Sequence, residues 1–308
     1  MSLLVVGSVA LDTVETPFGS VTDALGGSAT FFSASASHFC DVQVVGVVGE
    51  DFPLEELDFL RERGVDFGGL VQAHGESFRW SGEYSYDLNN PTTRETRLGV
   101  FASFEPDIPA AFRDAAFVFL GNIDPVLQLD VLQQVRAPRL VACDTMNYWI
   151  NGSREALVRL LEDVDILLVN DAEVRALSEE HNLVRAAQWV HARGPDIVVV
   201  KKGEHGAMLF HRDVIFFAPG FPLEDIFDPT GAGDAFAGGF IGSLARAGTS
   251  TAADLRRAMI YGSVMGSFAV EKFSVDRLRQ LGAAEIEERV AAFRELTAFE
   301  QGAEASHV

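Results

Sequence analysis

The run Gly231-Ala232-Gly233-Asp234 combines an unobstructed backbone with a carboxylate, and that pairing can do chemistry. Glycine leaves successive N–H groups uncovered and tolerates unusual dihedrals. The run sits inside Asp228–Phe240 (DPTGAGDAFAGGF), which opens a small-residue stretch, Ala235–Ala247, that reads as a helix. Gly238, Gly239 and Gly242 would let that helix pack closely. Amides at a helix N-terminus, with the helix dipole behind them, make an anion site. A carboxylate there repels the anion unless it has another task, and abstracting a proton from an attacking hydroxyl is such a task. The plain alternative is a helix cap behind a tight turn.

Other polar residues sit where strands are expected to end. Asn170 and Glu173 (NDAEV) follow an apolar run; by spacing alone they also read as a cap with a first-turn acid. Lys201 and Lys202 are adjacent in a chain with only one other lysine, Lys272, and either can meet phosphates or form a solvated pair. Asp12 lies just past the first strand, and Gly26-Gly27-Ser28 would let backbone approach a ligand beside it. Asn122 and Asp124 (GNIDP), with Asp144 and Asn147 (DTMNYW), are further candidates for the same cleft. Thr30-Phe31-Phe32 either stacks on an aromatic substrate or belongs to a helix core.

An α/β sheet must position these groups. Apolar runs at Leu3–Gly7, Val42–Val48, Ala116–Leu120, Leu140–Cys143, Ile166–Asn170 and Ile197–Val200 alternate with helical patterns such as Ala172–Leu177 and Leu183–Arg193. That rhythm predicts βαβ units, with helices on both faces of a mostly parallel sheet. Two stretches differ. Glu76–Phe104 alternates aromatic and polar residues around Asn89-Asn90-Pro91, and Thr13–Leu25 is a second such piece. Both read as a small β layer, a lid, with Trp80, Tyr84 and Arg97 as candidate ligand contacts. Ala283–Phe299 reads as an acidic amphipathic helix, and residues 301–308 as a frayed tail.

Composition bounds the function. The chain has 308 residues, 48% of them hydrophobic, with no repeat and no Pro/Ser-rich linker. A net charge of −21 argues against nucleic-acid or anionic-membrane partners. It fits either a halophilic host or an ordinary acidic surface. Two distant cysteines, Cys40 and Cys143, make no metal pattern and suggest free thiols in a cytoplasmic protein. No run reaches a membrane span, and Met1–Gly7 reads as a strand rather than a leader. There is no Walker P-loop and no G-x-G-x-x-G after a strand, which argues against a nicotinamide oxidoreductase.

The segment DPTGAGDAFAGGF closely resembles the C-terminal signature of the PfkB, or ribokinase-like, carbohydrate kinases. GSVALD (7–12), GGSATFF (26–32), NDAEV (170–174) and KKGEHG (201–206) follow in family order. The resemblance implies a Rossmann-like α/β kinase domain over residues 1–300, with lid strands from about 13–25 and 76–104. It implies ATP-dependent phosphorylation of an alcohol with Mg²⁺. Asp234 matches the family's catalytic base, and Gly231, Ala232 and Gly233 match the amides that hold charge on the transferring phosphoryl group. Asn170 and Glu173 match the N-x-x-E motif that holds hydrated Mg²⁺ and phosphate. Lys201, Gly203 and Gly206 match the nucleotide-binding turn, where a threonine often replaces Lys201. Asp12, Gly26, Gly27 and Ser28 match the substrate side. Asp228 and Thr230 match a monovalent-cation site, whose other half would come from Val270–Ser274. That loop lacks the glycine usual in potassium-activated members, so a K⁺ requirement is not expected. The expected acceptor is a small sugar or, in the alternative, a nucleoside; a non-catalytic binding protein is the reading from another class. A homodimer through the lid is also compatible with the resemblance.

Overall fold

The apolar, non-alternating runs become the middle of one sheet. A computed structural model describes residues 1–88, 91–212 and 214–298. In chain order its strands are β1 (Leu3–Val6), β2 (Ala10–Thr16), β3 (Gly19–Gly26), β4 (Val42–Gly49), β5 (Asp66–Ala73), β6 (Arg79–Glu83), β7 (Thr92–Arg97), β8 (Phe117–Leu120), β9 (Leu140–Asp144), β10 (Ile166–Asn170), β11 (Ile197–Lys201), β12 (Ala207–His211) and β13 (Val214–Ala218). Nine form a sheet in the order β13-β12-β11-β10-β9-β8-β1-β4-β5. From β5 to β11 the pairings are parallel; β12 and β13 are antiparallel.

Alternation within β1 sends Leu3 and Val5 into one core and Leu4 and Val6 into the other. The first core lies under the helices Ser28–Ala36, Ala232–Ala247 and Ala252–Ala269. There Phe32 stacks on Phe119 with ring centroids 4.1 Å apart, so this phenylalanine is core and not a ligand contact. Gly238 lets two helices meet: a Cβ at that position would lie 2.3 Å from the Phe32 carbonyl oxygen. Burying one such aromatic contributes about 1.5–3 kcal/mol.

The second sheet has the order β3-β2-β6-β7 and is the expected lid. β2 pairs antiparallel with β3 and parallel with β6, and β6 pairs antiparallel with β7. The lid begins at Ala10, earlier than the alternation suggested, so Asp12 is itself a lid residue. The turn residues Asn89 and Asn90, Phe299 at the expected end of the last helix, and the 301–308 tail lie outside the described residues. β5, β12 and β13 were not expected. β5 carries Gly68-Gly69, and β13 leaves Ile215 and Phe217 half exposed at a sheet edge, so neither shows the pattern of a buried strand. Among the described residues no helix is long and apolar enough to cross a membrane.

Candidate active site

Three neighbouring strands end in polar residues: β9 at Asp144, β10 at Asn170 and β11 at Lys201. This is the carboxyl edge, where open α/β sheets bind ligands. The Ala232–Ala247 helix begins over it, three residues earlier than its small-residue run suggested. Its N-cap is Gly231, at φ +73, and no side chain caps the helix. A Cβ on Gly231 would meet the Phe31 ring at 2.3 Å, so both conformation and space call for glycine. Ala232 gives its N–H to the Pro229 carbonyl at 3.2 Å. Of the three amides expected to hold charge, that one is already engaged. Gly233 and Asp234 occupy the helix's first turn, whose N–H groups have no intrahelical acceptor.

Asp234 is half-buried in that first turn. Burial, and then the Asp144 carboxylate, push its pKa up to about 7 against the pull of the Lys201 ammonium. Lys201 Nζ donates to Asp144 Oδ2 at 2.9 Å, and a Cβ on Gly233 would sit 3.0 Å from the same Nζ. Burial lowers the lysine's pKa, but Asp144, Glu173 and Asp234 outweigh it and hold the ammonium above its ordinary value. Lys201 therefore lies against the glycine turn as the expected phosphate contact requires, but it is already paired. Asp144, a candidate for the substrate cleft, ends β9 and pairs with Lys201.

Asn170 and Glu173 form a reciprocal capping box on the Asp171–Ser178 helix: Glu173 N–H donates to Asn170 Oδ1 at 2.8 Å, and Asn170 N–H to Glu173 Oε2 at 2.7 Å. Burial, then the Asp144 carboxylate, raise the Glu173 pKa. Among the described residues no three acidic, histidine or cysteine side chains converge as a direct metal-ligand group. The excess of carboxylates near Lys201 nevertheless fits a divalent cation held through its waters and through phosphate oxygens.

The turn Gly203–His205 follows β11. Gly206, at φ +88, would place a Cβ 2.1 Å from the Ala218 carbonyl oxygen, so the visible demand for glycine comes from its own backbone and from the segment that leaves β13. The Lys202 ammonium lies over the Phe217 ring.

The lid contributes from one face. Asp12 is opposite Trp80 in the β2–β6 register, and both share the face of Tyr84. Arg97, opposite Arg79 in β7, lies on the other face and pairs with Glu95. It is not a ligand contact. Asp12 is 8% exposed, and a Cβ on Gly26 would fall 2.0 Å from its Oδ2, so Gly26 makes room for this carboxylate. Burial, and then the Asp228 carboxylate, push the Asp12 pKa to about 7, while the Gly27 N–H pulls it down. Ser28 exchanges hydrogen bonds with Ser8, its Oγ accepting from Ser8 N–H at 3.2 Å and its N–H donating to Ser8 Oγ at 3.0 Å. Its hydroxyl thus holds the turn between β1 and β2. Asn122 accepts from Trp149 Nε1, Asp124 caps a helix, and Asn147 is exposed.

Asp228 is 1% exposed, with Oδ1 accepting from Thr230 N–H at 2.9 Å and Oδ2 from Ser274 N–H at 3.1 Å. The Val270–Ser274 loop does meet it, and the Val270 carbonyl accepts from Phe227 N–H at 2.8 Å. These groups order two loops, and a monovalent cation would have to compete with backbone donors for them.

Three comparisons bear on this geometry. The sequence profile of the pfkB family carbohydrate kinases matches residues 2–279. A cytidine kinase from Thermococcus kodakarensis is 30% identical over 253 residues, 80% of this chain and 89% of the relative. An inositol 3-kinase from Arabidopsis thaliana is 27% identical, covering 87% of this chain and 74% of that protein. In three dimensions, a chain from E. coli described as a Ribokinase II, in complex with ATP and Mg²⁺, superposes with a TM-score of 0.79 at 20% identity, covering 94% of this chain and 99% of that one.

Proposed function

The chain belongs to the pfkB family of carbohydrate kinases, phosphotransferases that act on a hydroxyl acceptor, and from that premise we propose that it carries the γ-phosphoryl group of ATP to a ribosyl hydroxyl of a nucleoside. The observation that carries the reading is the uncapped glycine turn with Asp234 in its first turn, facing a buried lid carboxylate, Asp12. Asp234 takes the hydroxyl proton as the acceptor oxygen bonds to phosphorus and the bond to the bridging oxygen of ADP breaks. The Gly233 and Asp234 amides and Lys201 face the charge on the transferring group. Mg²⁺, held through its waters beside Asn170 and Glu173, would supply charge neutralisation at the phosphates.

Asp12 accepts from acceptor hydroxyls, and a substrate lacking one leaves a buried carboxylate unpaired. Trp80, on the lid face of Asp12, gives an aromatic base a ring to meet, which favours a nucleoside over a simple sugar. Likeness to the cytidine kinase supports the same choice. A sugar or polyol is the second reading, favoured by likeness to the inositol 3-kinase over most of the chain.

The test is ATP consumption across a panel of nucleosides, sugars and polyols. Turnover of ribonucleosides with loss of activity on 2′- or 3′-deoxy analogues is expected. Turnover confined to sugars or polyols would select the second reading. Tight binding of one compound without turnover would instead make the chain a binding protein.

A further inference from the structure

A series of hydrogen bonds ties two lid strands together by way of the loop that feeds the glycine turn. Ser274 Oγ donates to the Leu25 carbonyl of β3 at 2.5 Å, and Ser274 N–H donates to Asp228 Oδ2 at 3.1 Å. The other oxygen of Asp228 accepts from Thr230 N–H at 2.9 Å. Thr230 Oγ1 then donates to Tyr84 Oη at 3.3 Å. Tyr84 follows β6 directly, and its own N–H donates to the Glu15 carbonyl of β2 at 2.8 Å. Beside this series, Thr16 Oγ1 of β2 donates to the Phe227 carbonyl at 2.9 Å. Tyr84, Thr16 and Asp228 are all buried, at 8%, 7% and 1% exposure.

Phosphoryl transfer itself has no use for the Tyr84 hydroxyl: Asp234 is the base, and amides and Lys201 face the phosphate. The bond does have a mechanical consequence. Thr230 immediately precedes Gly231, whose left-handed φ of +73 sets the direction of the first-turn amides. Lifting the lid breaks the Tyr84, Thr16 and Ser274 bonds together. Thr230 is then held only to Asp228, next to the most permissive residue of the turn.

We propose that Tyr84 and Thr230 are positioning residues that make the anion-holding shape of the Gly231–Asp234 turn conditional on lid closure. The linkage is a property of the free chain; its benefit rests on the kinase reading. A turn assembled only under a closed lid acts on ATP only when the acceptor is enclosed, which suppresses transfer to water.

Hydrogen exchange of the ligand-free protein tests the linkage without reference to turnover. Tyr84→Phe keeps the buried ring and removes only the hydroxyl, and Thr230→Val removes the partner hydroxyl while keeping the N–H to Asp228. Each is expected to speed exchange several-fold, up to about tenfold, in the lid strands and in residues 229–234 together. The double variant should be no faster than either single one, and Thr230→Ser should restore protection. Faster exchange on the substituted side only, or single effects that multiply in the double variant, would overturn the proposal. With the acceptor that the wild type phosphorylates, Tyr84→Phe should raise ATP hydrolysis relative to transfer; an unchanged ratio would overturn the claimed benefit. A wild type that phosphorylates nothing would remove the kinase reading and leave the exchange result to decide the linkage.

Discussion

Asp234 titrates where a general base is useful, because burial and the nearby Asp144 carboxylate hold its pKa at about 7. Only the ionised form accepts a proton, so kcat/KM is expected to rise with pH and level off above about 7. Asp234→Asn keeps the shape and loses the base; a fall in kcat of at least ~10²-fold, with ATP still bound, is the expected outcome of steady-state kinetics and equilibrium titration. Near-normal turnover would end the assignment. Glu173 needs a finer test, since its capping box with Asn170 explains its presence without any metal. Glu173→Gln retains an acceptor for the Asn170 N–H, so the helix start survives and only the charge is lost. The activity curve against Mg²⁺ should shift to higher concentration with the acceptor KM unchanged. If the curve stays put, Glu173 is a cap and nothing more. What sequence revealed at this scale was local: the glycine turn, its aspartate and the N-x-x-E pair are contiguous. The pairings of Asp144 and Ser28 were not legible, for one reason. Their partners, Lys201 and Ser8, lie 57 and 20 residues away in the chain, and strand register brings them together.

Elements place these residues through backbone geometry more than through side chains. Gly231 has to hold φ +73 with its α-carbon against the Phe31 ring, and the position leaves no room for a methyl group. Gly231→Ala is therefore expected to destabilise the fold by about 1–3 kcal/mol, the strain of a non-glycine residue in that region, before any loss of anion contact. Urea unfolding checks this, and an unchanged midpoint would mean that the turn relaxes freely and is a poor candidate for a preorganised site. The main sheet was legible because its central strands are buried on both faces and read as unbroken apolar runs. The lid's existence was legible from alternation, but its faces were not. Arg97 and Trp80 are both alternating positions, and only the pairing of Arg79 with Arg97, and of Trp80 with Thr96, shows that they point to opposite sides. β13 escaped notice because it sits at the sheet edge with Ile215 and Phe217 half exposed.

Across the whole molecule, the site's needs run against stability. The folded chain keeps a proton on Asp12 up to about pH 7, whereas the unfolded chain releases it near the ordinary value of 3.8. Between those limits the folded state binds more protons, so stability must fall as pH rises through the window, and the full penalty is present above about 7. Asp234 is shifted in the same direction and adds to the slope. A second cause has the same sign: the net charge of −21 develops as the surface acids ionise, and self-repulsion then opposes the compact state. Salt separates the two. At about 1 M ionic strength the screening length is roughly 3 Å, which suppresses repulsion between surface groups but hardly reaches a carboxylate that is 8% exposed. The ligand-free protein is thus expected to lose unfolding free energy from about pH 4 to 7 even in high salt. Asp12→Asn should flatten part of that loss while weakening acceptor binding, since the amide keeps the size of the side chain but not the charge that hydroxyls donate to. Urea unfolding of both proteins across this range in high salt is the measurement. A wild-type slope that vanishes with salt would mean that surface repulsion alone sets the pH dependence, and one that Asp12→Asn leaves intact in high salt would assign it to the other buried acids. In either case the buried lid carboxylate would be no burden on the fold, and its raised pKa would have to be abandoned.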